Sequence, residues 1–245
     1  PVGRDELLPA LAAGKGDIAA ANLTITPERQ KRVDFTAPLY SGVSEITVSG
    51  PGTPALAGVS DLAGREVYVR KSSSYYESLT ALNKRFASEK RPRIVIKEAP
   101  ESLEDEDLIE MVNAGLLPLI VVDRHKAKFW QQVFPGIQIH EQAAVRTGGD
   151  IAWALRKDSP QLQAALGDFS ARNRQGTATG NEILMRYLKN TRYVKDAASE
   201  SERNKFLALV DIFKKYGDQY DVDWLLMGAQ GYQESQLNQA ARSKT

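Results

Sequence analysis

Not one of the 245 residues is cysteine, which excludes disulfides, thiolate metal sites and cysteine nucleophiles from the outset. The absence fits a compartment where free thiols would be oxidised. No stretch approaches the roughly 20 consecutive apolar residues that a membrane-crossing helix needs, and the opening PVGRDELLPAL lacks the charged-then-apolar order of a secretory leader. Taken as it stands, the chain is expected to be soluble. Charge of one sign is also missing: 32 Lys and Arg face 31 Asp and Glu, net +1, so no whole-chain field draws it to nucleic acid or to an anionic membrane. His125 and His140 are the two histidines, far apart and without paired ligands, so no metal and no cofactor is expected.

What is present is an ordinary globular mixture, 42% hydrophobic and 26% charged, long enough for one large domain or two smaller ones. Leu7, Leu8 and Leu11 mark a short helix closed by Gly14 and Gly16, and the run from Asp17 to Ala21 reads as a buried strand. Strands follow at 45–48, 66–69, 94–96 and 119–122, with one helix opening at Ser72, Ser73 and Ser74 and another running from Leu103 to Ala114. This order predicts an α/β domain with a mostly parallel sheet and a ligand site at the carboxyl ends of its strands. A connector at 137–140 leads past Gly148 and Gly149 to a separate strand at 151–155, after which Ser159 caps a helix and a further helix covers 181–188. From Lys189 to Glu202 apolar periodicity lapses, which predicts a linker. Beyond it, Phe206, Leu209, Val210 and Phe213 define one amphipathic helix, and Val222, Leu225, Leu226 and Ala229 a second, capped by Asp221 or Asp223.

The run GKGDIAAANLTITPERQKRVDFTAPLY from Gly14 resembles the first-lobe signature of periplasmic amino-acid-binding proteins, and WALRKDSPQL from Trp153 resembles their return into that lobe. The tail YGDQYDVDWLLMGAQGYQESQL resembles the start of a lytic transglycosylase domain, so the tandem resembles the membrane-bound lytic murein transglycosylase F family. The resemblance implies a two-lobed, type II periplasmic-binding-protein-like domain over 1–188, with lobe one about 1–45 and 139–188 and lobe two about 46–138. A linker at 189–202 would lead into an incomplete all-α lysozyme-like domain over 203–245.

In the binding half, the resemblance implies that Arg29 takes a ligand carboxylate bidentately and Asp123 takes an ammonium from lobe two. Thr24 and the backbone around Asn22 would add hydrogen bonds, and Ser72, Ser73 and Ser74 would offer hydroxyls and helix N-terminal N–H groups. Each has a plainer reading: Arg29 can pair with a local acid such as Asp34, Asp123 can cap a helix, and the serines can be an N-cap alone. Two departures from the family pattern stand out. Ala21 replaces a small hydroxyl residue, and Lys71 stands where a glycine commonly sits and would crowd the pocket. The ligand is then expected to be a muropeptide stem peptide, with Glu45, Arg70 and Lys71 meeting its extra charges, or else an amino acid.

In the tail, Glu234 follows two apolar helical turns, the surroundings that raise a glutamate's pKa for glycosidic acid catalysis. Most glycosidases use two carboxylates, and none follows Glu234; the family resembled uses a single one as both acid and base. Ser235 and Gln233 are the expected supports for its orientation, while Tyr232 is expected to pack. Gly228 and Gly231, costing about 1 kcal/mol each in a helix interior, make sense if another helix or a sugar must come close. Asn238 and Gln239 stand where relatives carry Asn-Pro, which alters the turn and not the acid.

Two functions follow. The first is a periplasmic, outer-membrane-associated lytic transglycosylase acting on the peptidoglycan glycan strand, regulated by a ligand in the first domain, with the chain inactive by itself because eleven residues after Glu234 cannot build a glycan groove. The second is a solute-binding protein for amino acids or peptides in transport or signalling.

Overall fold

The computed structural model describes residues 2–189, 191, 194, 200–235 and 237–242. It divides into two compact units, residues 1–190 and 191–245. Most of the expected linker, residues 190, 192, 193 and 195–199, lies outside the described residues, and a helix begins at Glu200 within its expected span.

The first unit is an α/β fold whose strands form one seven-stranded sheet. In chain order its elements are α1 (Leu7–Ala12), β1 (Ile18–Thr24), α2 (Pro27–Gln30), β2 (Asp34–Phe35), β3 (Tyr40–Ser49), β4 (Glu66–Arg70), α3 (Ser74–Ser88), β5 (Val95–Ala99), α4 (Asp105–Asn113), β6 (Leu119–Asp123), α5 (Arg124–Gln131), β7 (Gln138–Leu155), α6 (Pro160–Asn173) and α7 (Ala178–Leu188). The strand order is β1-β7-β3-β6-β4-β5, with β2 also on β7.

Only β4 pairs in parallel, with β5 and β6; the other pairings are antiparallel, so the expected mostly parallel sheet is corrected. The reason is topological. β3 carries the chain into the second lobe and β7 carries it back, so the two run in opposite directions. The connector and separate strand expected at 137–155 are also one continuous strand of 18 residues. Gly148, at φ +69°, bends it without ending it, and a Cβ on Gly149 would stand 3.3 Å from the Val43 carbonyl oxygen.

Two apolar cores flank this crossing. Lobe one packs Leu11, Ala19, Leu23, Val33, Phe35, Ala152 and Ala154, while lobe two builds the larger core around Ile46, Leu79, Phe86, Ile109 and Ile120. α3 shows why the local sequence obeys: Ser73 accepts from the Tyr76 N–H at 3.2 Å as N-cap, and Tyr75, Leu79, Leu82 and Phe86 recur on its buried face. In β1, two extra residues between the Ala19–Ala154 and Leu23–Ala152 pairs form a bulge, with Asn22 at φ +54°, a conformation asparagine tolerates.

The second unit contains α8 (Glu200–Leu207), α9 (Val210–Tyr220) and α10 (Trp224–Ser235). Asp221, left-handed at φ +53°, ends α9, with the Val222 N–H reaching the Gly217 carbonyl at 3.0 Å. Asp223, not Asp221, caps α10, its Oδ1 accepting from the Leu225 N–H at 2.8 Å. The close helix approach expected of Gly228 is present: a Cβ there would lie 2.9 Å from the Phe206 ring.

Candidate functional site

Between the two cores lies a cleft lined by Thr24, Arg29, Ser72, Ser73, Ser74 and Asp123, and by Arg70, whereas Glu45 and Lys71, also expected to meet ligand charge, are not in its lining. β1 and α2 supply the first two, the turn into α3 the serines, and the end of β6 the aspartate. The chamber they enclose is small, about 50 Å³.

The lobe-two side is a buried ionic network centred on Asp105. Its carboxylate accepts from Arg70 Nη2 at 2.6 Å, Lys126 Nζ at 2.5 Å and the Tyr75 hydroxyl at 3.0 Å. Burial works to raise the Asp105 pKa, but Lys126 and Arg70 outweigh it and hold the carboxyl below its ordinary range. Asp123 is placed differently. It is 2% exposed, Lys126 is its ion partner at only 3.7 Å, and Oδ1 has no hydrogen-bond partner among the described residues. Burial, with Asp105 and Glu45 nearby, pushes its pKa up to about 6, against the opposing pull of Lys126. The residue occupies the N-cap position of α5 without capping it, which leaves the orphaned oxygen available to a cationic ligand group.

The lobe-one side presents Arg29, whose guanidinium is already engaged. Nη1 donates to the Thr24 carbonyl at 2.9 Å, and Nη2 donates to the Ser72 carbonyl at 3.0 Å on the opposite lobe. Its ion partner is Glu77 at 3.7 Å, not the Asp34 of the plainer reading; Asp34 pairs with Lys157 at 2.7 Å. The serines divide their work: Ser73 caps α3, Ser72 is held by both oxygens of Glu101 at 2.9 and 2.6 Å, and Ser74 is buried in the lining.

Lys71 does not crowd the chamber as expected. It points outward to Glu98 at 3.1 Å and lines an outer vestibule of about 330 Å³ instead. The crowding comes from Arg4, Arg70 and Lys126. Sequence reasoning missed Arg4, Asp105 and Lys126. Asp105 was hidden in the acidic run EDED, where a solvated helix face is the default, whereas the Asp123–Lys126 spacing at a helix start was an available signal. Glu45, read from sequence as meeting ligand charge, is 1% exposed at the lobe crossing, accepting from Ser78 Oγ at 2.5 Å. A larger cavity, about 750 Å³ between α5 and α7, contains none of these groups; chemistry and not size marks the cleft as the candidate.

In the second unit Glu234 is exposed near the end of α10, and its Oε1 accepts from Gln230 Nε2 at 2.9 Å. The apolar burial expected for an acid catalyst is absent in the described structure. Leu226, Gln230 and Glu234 recur every fourth residue along an outward face, while Gly228 faces Phe206 and Phe213. The expected supports also differ. Ser235 donates back to the Gly231 carbonyl at 3.0 Å, as helical serines do, and Gln233, one position away, projects elsewhere.

A family model for bacterial extracellular solute-binding proteins, family 3, matches residues 1–190. In solved structures, the fold is shared with an ancestral arginine-binding protein bound to arginine (TM-score 0.64, 23% identity, 76% of this chain and 78% of that one). It is likewise shared with an amino acid ABC transporter substrate-binding protein from Streptococcus pneumoniae bound to L-arginine (TM-score 0.62, 21% identity, 77% and 75%). Over nearly its whole length the chain is similar to membrane-bound lytic murein transglycosylase F of Shewanella halifaxensis, 31% identical over 244 residues, covering 98% of this chain and 49% of that protein. The same-named protein of Methylobacillus flagellatus is 28% identical over 246 residues, covering 98% and 50%. The chain thus spans about half the length of the curated relatives it matches. Its 190-residue match, with two lobes joined across β3 and β7, settles the family: the chain belongs to the bacterial extracellular solute-binding proteins, family 3.

Proposed function

We propose that this chain is the ligand-sensing part of a peptidoglycan lytic transglycosylase, periplasmic and associated with the outer membrane. Among the described residues no helix is long and apolar enough to cross a membrane; the relatives' names support membrane association, and the outer membrane is the finer part of the proposal. The observation that carries the reading is the tandem: similarity to lytic transglycosylases continues past the binding fold and through the helix that holds Glu234.

In this reading Glu234 protonates the glycosidic oxygen between MurNAc and GlcNAc, and then as carboxylate removes the proton of the muramyl 6-hydroxyl. That oxygen attacks the anomeric carbon and yields 1,6-anhydroMurNAc without water. Glu234 is exposed in this structure, so in this reading the bound glycan or further protein covers it during catalysis. The cleft supplies control. Asp123 receives an ammonium and the α3 N-terminus a carboxylate, from an amino acid or a stem peptide, and lobe closure shifts the enzyme between states of different activity.

Digestion of sacculi by the full-length protein tests the reading: anhydro-muropeptides are expected, and Glu234→Gln abolishes them. Sacculi left intact by wild-type protein would instead favour the second reading, a solute-binding protein of transport or signalling, which the arginine-bound structural neighbours support. Ligand control fails separately if activity is unchanged by added muropeptide and by Asp123→Asn.

A further inference from the structure

Closure of a two-lobed cleft ordinarily draws on a ligand that touches both sides. Here the protein's own side chains make the bridge. Arg4 donates Nη1 to the Ala21 carbonyl at 2.8 Å, on the β1 bulge of lobe one, and donates Nε across the cleft to both oxygens of Glu104, at 2.8 and 3.1 Å. Glu104 is the residue preceding α4 in lobe two, and Arg70 Nη1 holds it from the other side at 3.0 Å. Burial acts to raise the Glu104 pKa, but hydrogen bonds from Arg4 and Arg70 lower it on balance, so the carboxylate is held ionised near neutrality.

Arg4 also stands at a partition. It lines both the inner chamber of about 50 Å³ and the outer vestibule of about 330 Å³. The inner volume suits a water or two, not an amino acid. Arginine is suited to this position because its planar fork can hold a carbonyl on one lobe and a carboxylate on the other at once.

We infer that Arg4 is a built-in latch: by bridging Ala21 and Glu104 it closes the cleft in the absence of ligand, and a ligand must displace it from Glu104 to reach Asp123. The bridge rests on the cleft geometry and is independent of any chemistry at Glu234, while the ligand's displacement of Arg4 rests on the proposed binding role of Asp123. The Arg29 bridge to Ser72 remains when Arg4 is lost, so its removal loosens closure without abolishing it.

The absence of native cysteine makes the test direct, because spin labels can be placed at Lys15→Cys in lobe one and Lys84→Cys in lobe two of the full chain. In the ligand-free protein the distance distribution is expected to be short and narrow. Arg4→Ala is expected to move the open-to-closed ratio roughly fivefold toward longer distances, with Arg4→Lys intermediate. High salt shifts the wild type toward Arg4→Ala and moves that variant less, since it keeps only the longer Arg29–Glu77 pair across the cleft. Equal distributions in wild type, Arg4→Ala and Glu104→Gln, at unchanged melting temperature, overturn the latch, as does a wild type already broad and long. Should Arg4→Ala fold poorly, Arg4→Gln carries the same expectation.

Discussion

The cleft of the first unit and the α10 surface of the second present carboxylates in opposite conditions. Asp105 and Asp123 are almost fully buried and set in a network of Arg70, Lys126 and Tyr75, whereas Glu234 stands in water beside one glutamine. The first arrangement fixes its chemistry through tertiary structure, and the second leaves it to whatever arrives. A buried acid is therefore defined by the fold that surrounds it, and an exposed one by its motif.

The sharpest way to break the comparison is to remove packing from each side. Phe86→Ala, in the core of lobe two, is expected to destabilise the first unit by about 3–5 kcal/mol in urea unfolding. Leu226→Ala, 63% exposed in the second unit, should stay within about 0.5 kcal/mol; comparable losses would mean that the second unit buries this face in solution. Next in size, Asp105→Asn leaves Arg70 and Lys126 without their shared partner and is expected to cost about 3 kcal/mol or more. Glu234→Gln should leave the unfolding midpoint where it was.

A pH series sharpens the contrast further. The Asp123 pKa is raised to about 6, so the native state holds its proton more tightly than the unfolded chain, and stability falls as pH rises between about 4 and 6. His125 beside it runs the other way: burial, and then Lys126, lower its pKa to about 4, so stability falls as pH drops from about 6.5 to 4. The two slopes oppose each other in the wild type. Asp123→Asn is expected to gain about 3 kcal/mol relative to wild type near pH 7 and nothing near pH 3.5, and His125→Gln to gain a similar amount near pH 4 and nothing above pH 7. Parallel curves for wild type and both variants would remove both groups from the account. Smaller than these pH effects is Gly228→Ala, expected to cost about 1–2 kcal/mol in the second unit, because the clash with Phe206 exceeds the gain in helix propensity.

Much of this was legible in the sequence, for reasons that differ by element. β4, β6 and α3 announce themselves because burial on both faces or one face imposes its period on local residues. α5 does not, since Arg124 to Gln131 is mostly polar and lacks a side-chain cap. The antiparallel pairing was illegible because it depends on β3 and β7 meeting across about a hundred residues, not on anything within either. Cleft residues that the family motif marks, such as Arg29 and the serines, were found. Arg4 carries no local signal at all, and its role exists only once Glu104 is brought opposite.

The double crossing by β3 and β7 also bears on how the chain folds. The chain from the end of β3 to the end of β6 is contiguous and carries most of the lobe-two core, so lobe two can form from local chain. Lobe one must wait, because Ile18 pairs with Leu155, 137 positions later, and among the described residues β1 has no strand partner other than β7. The lobe that carries Arg29 and Arg4 is thus the later and slower to form.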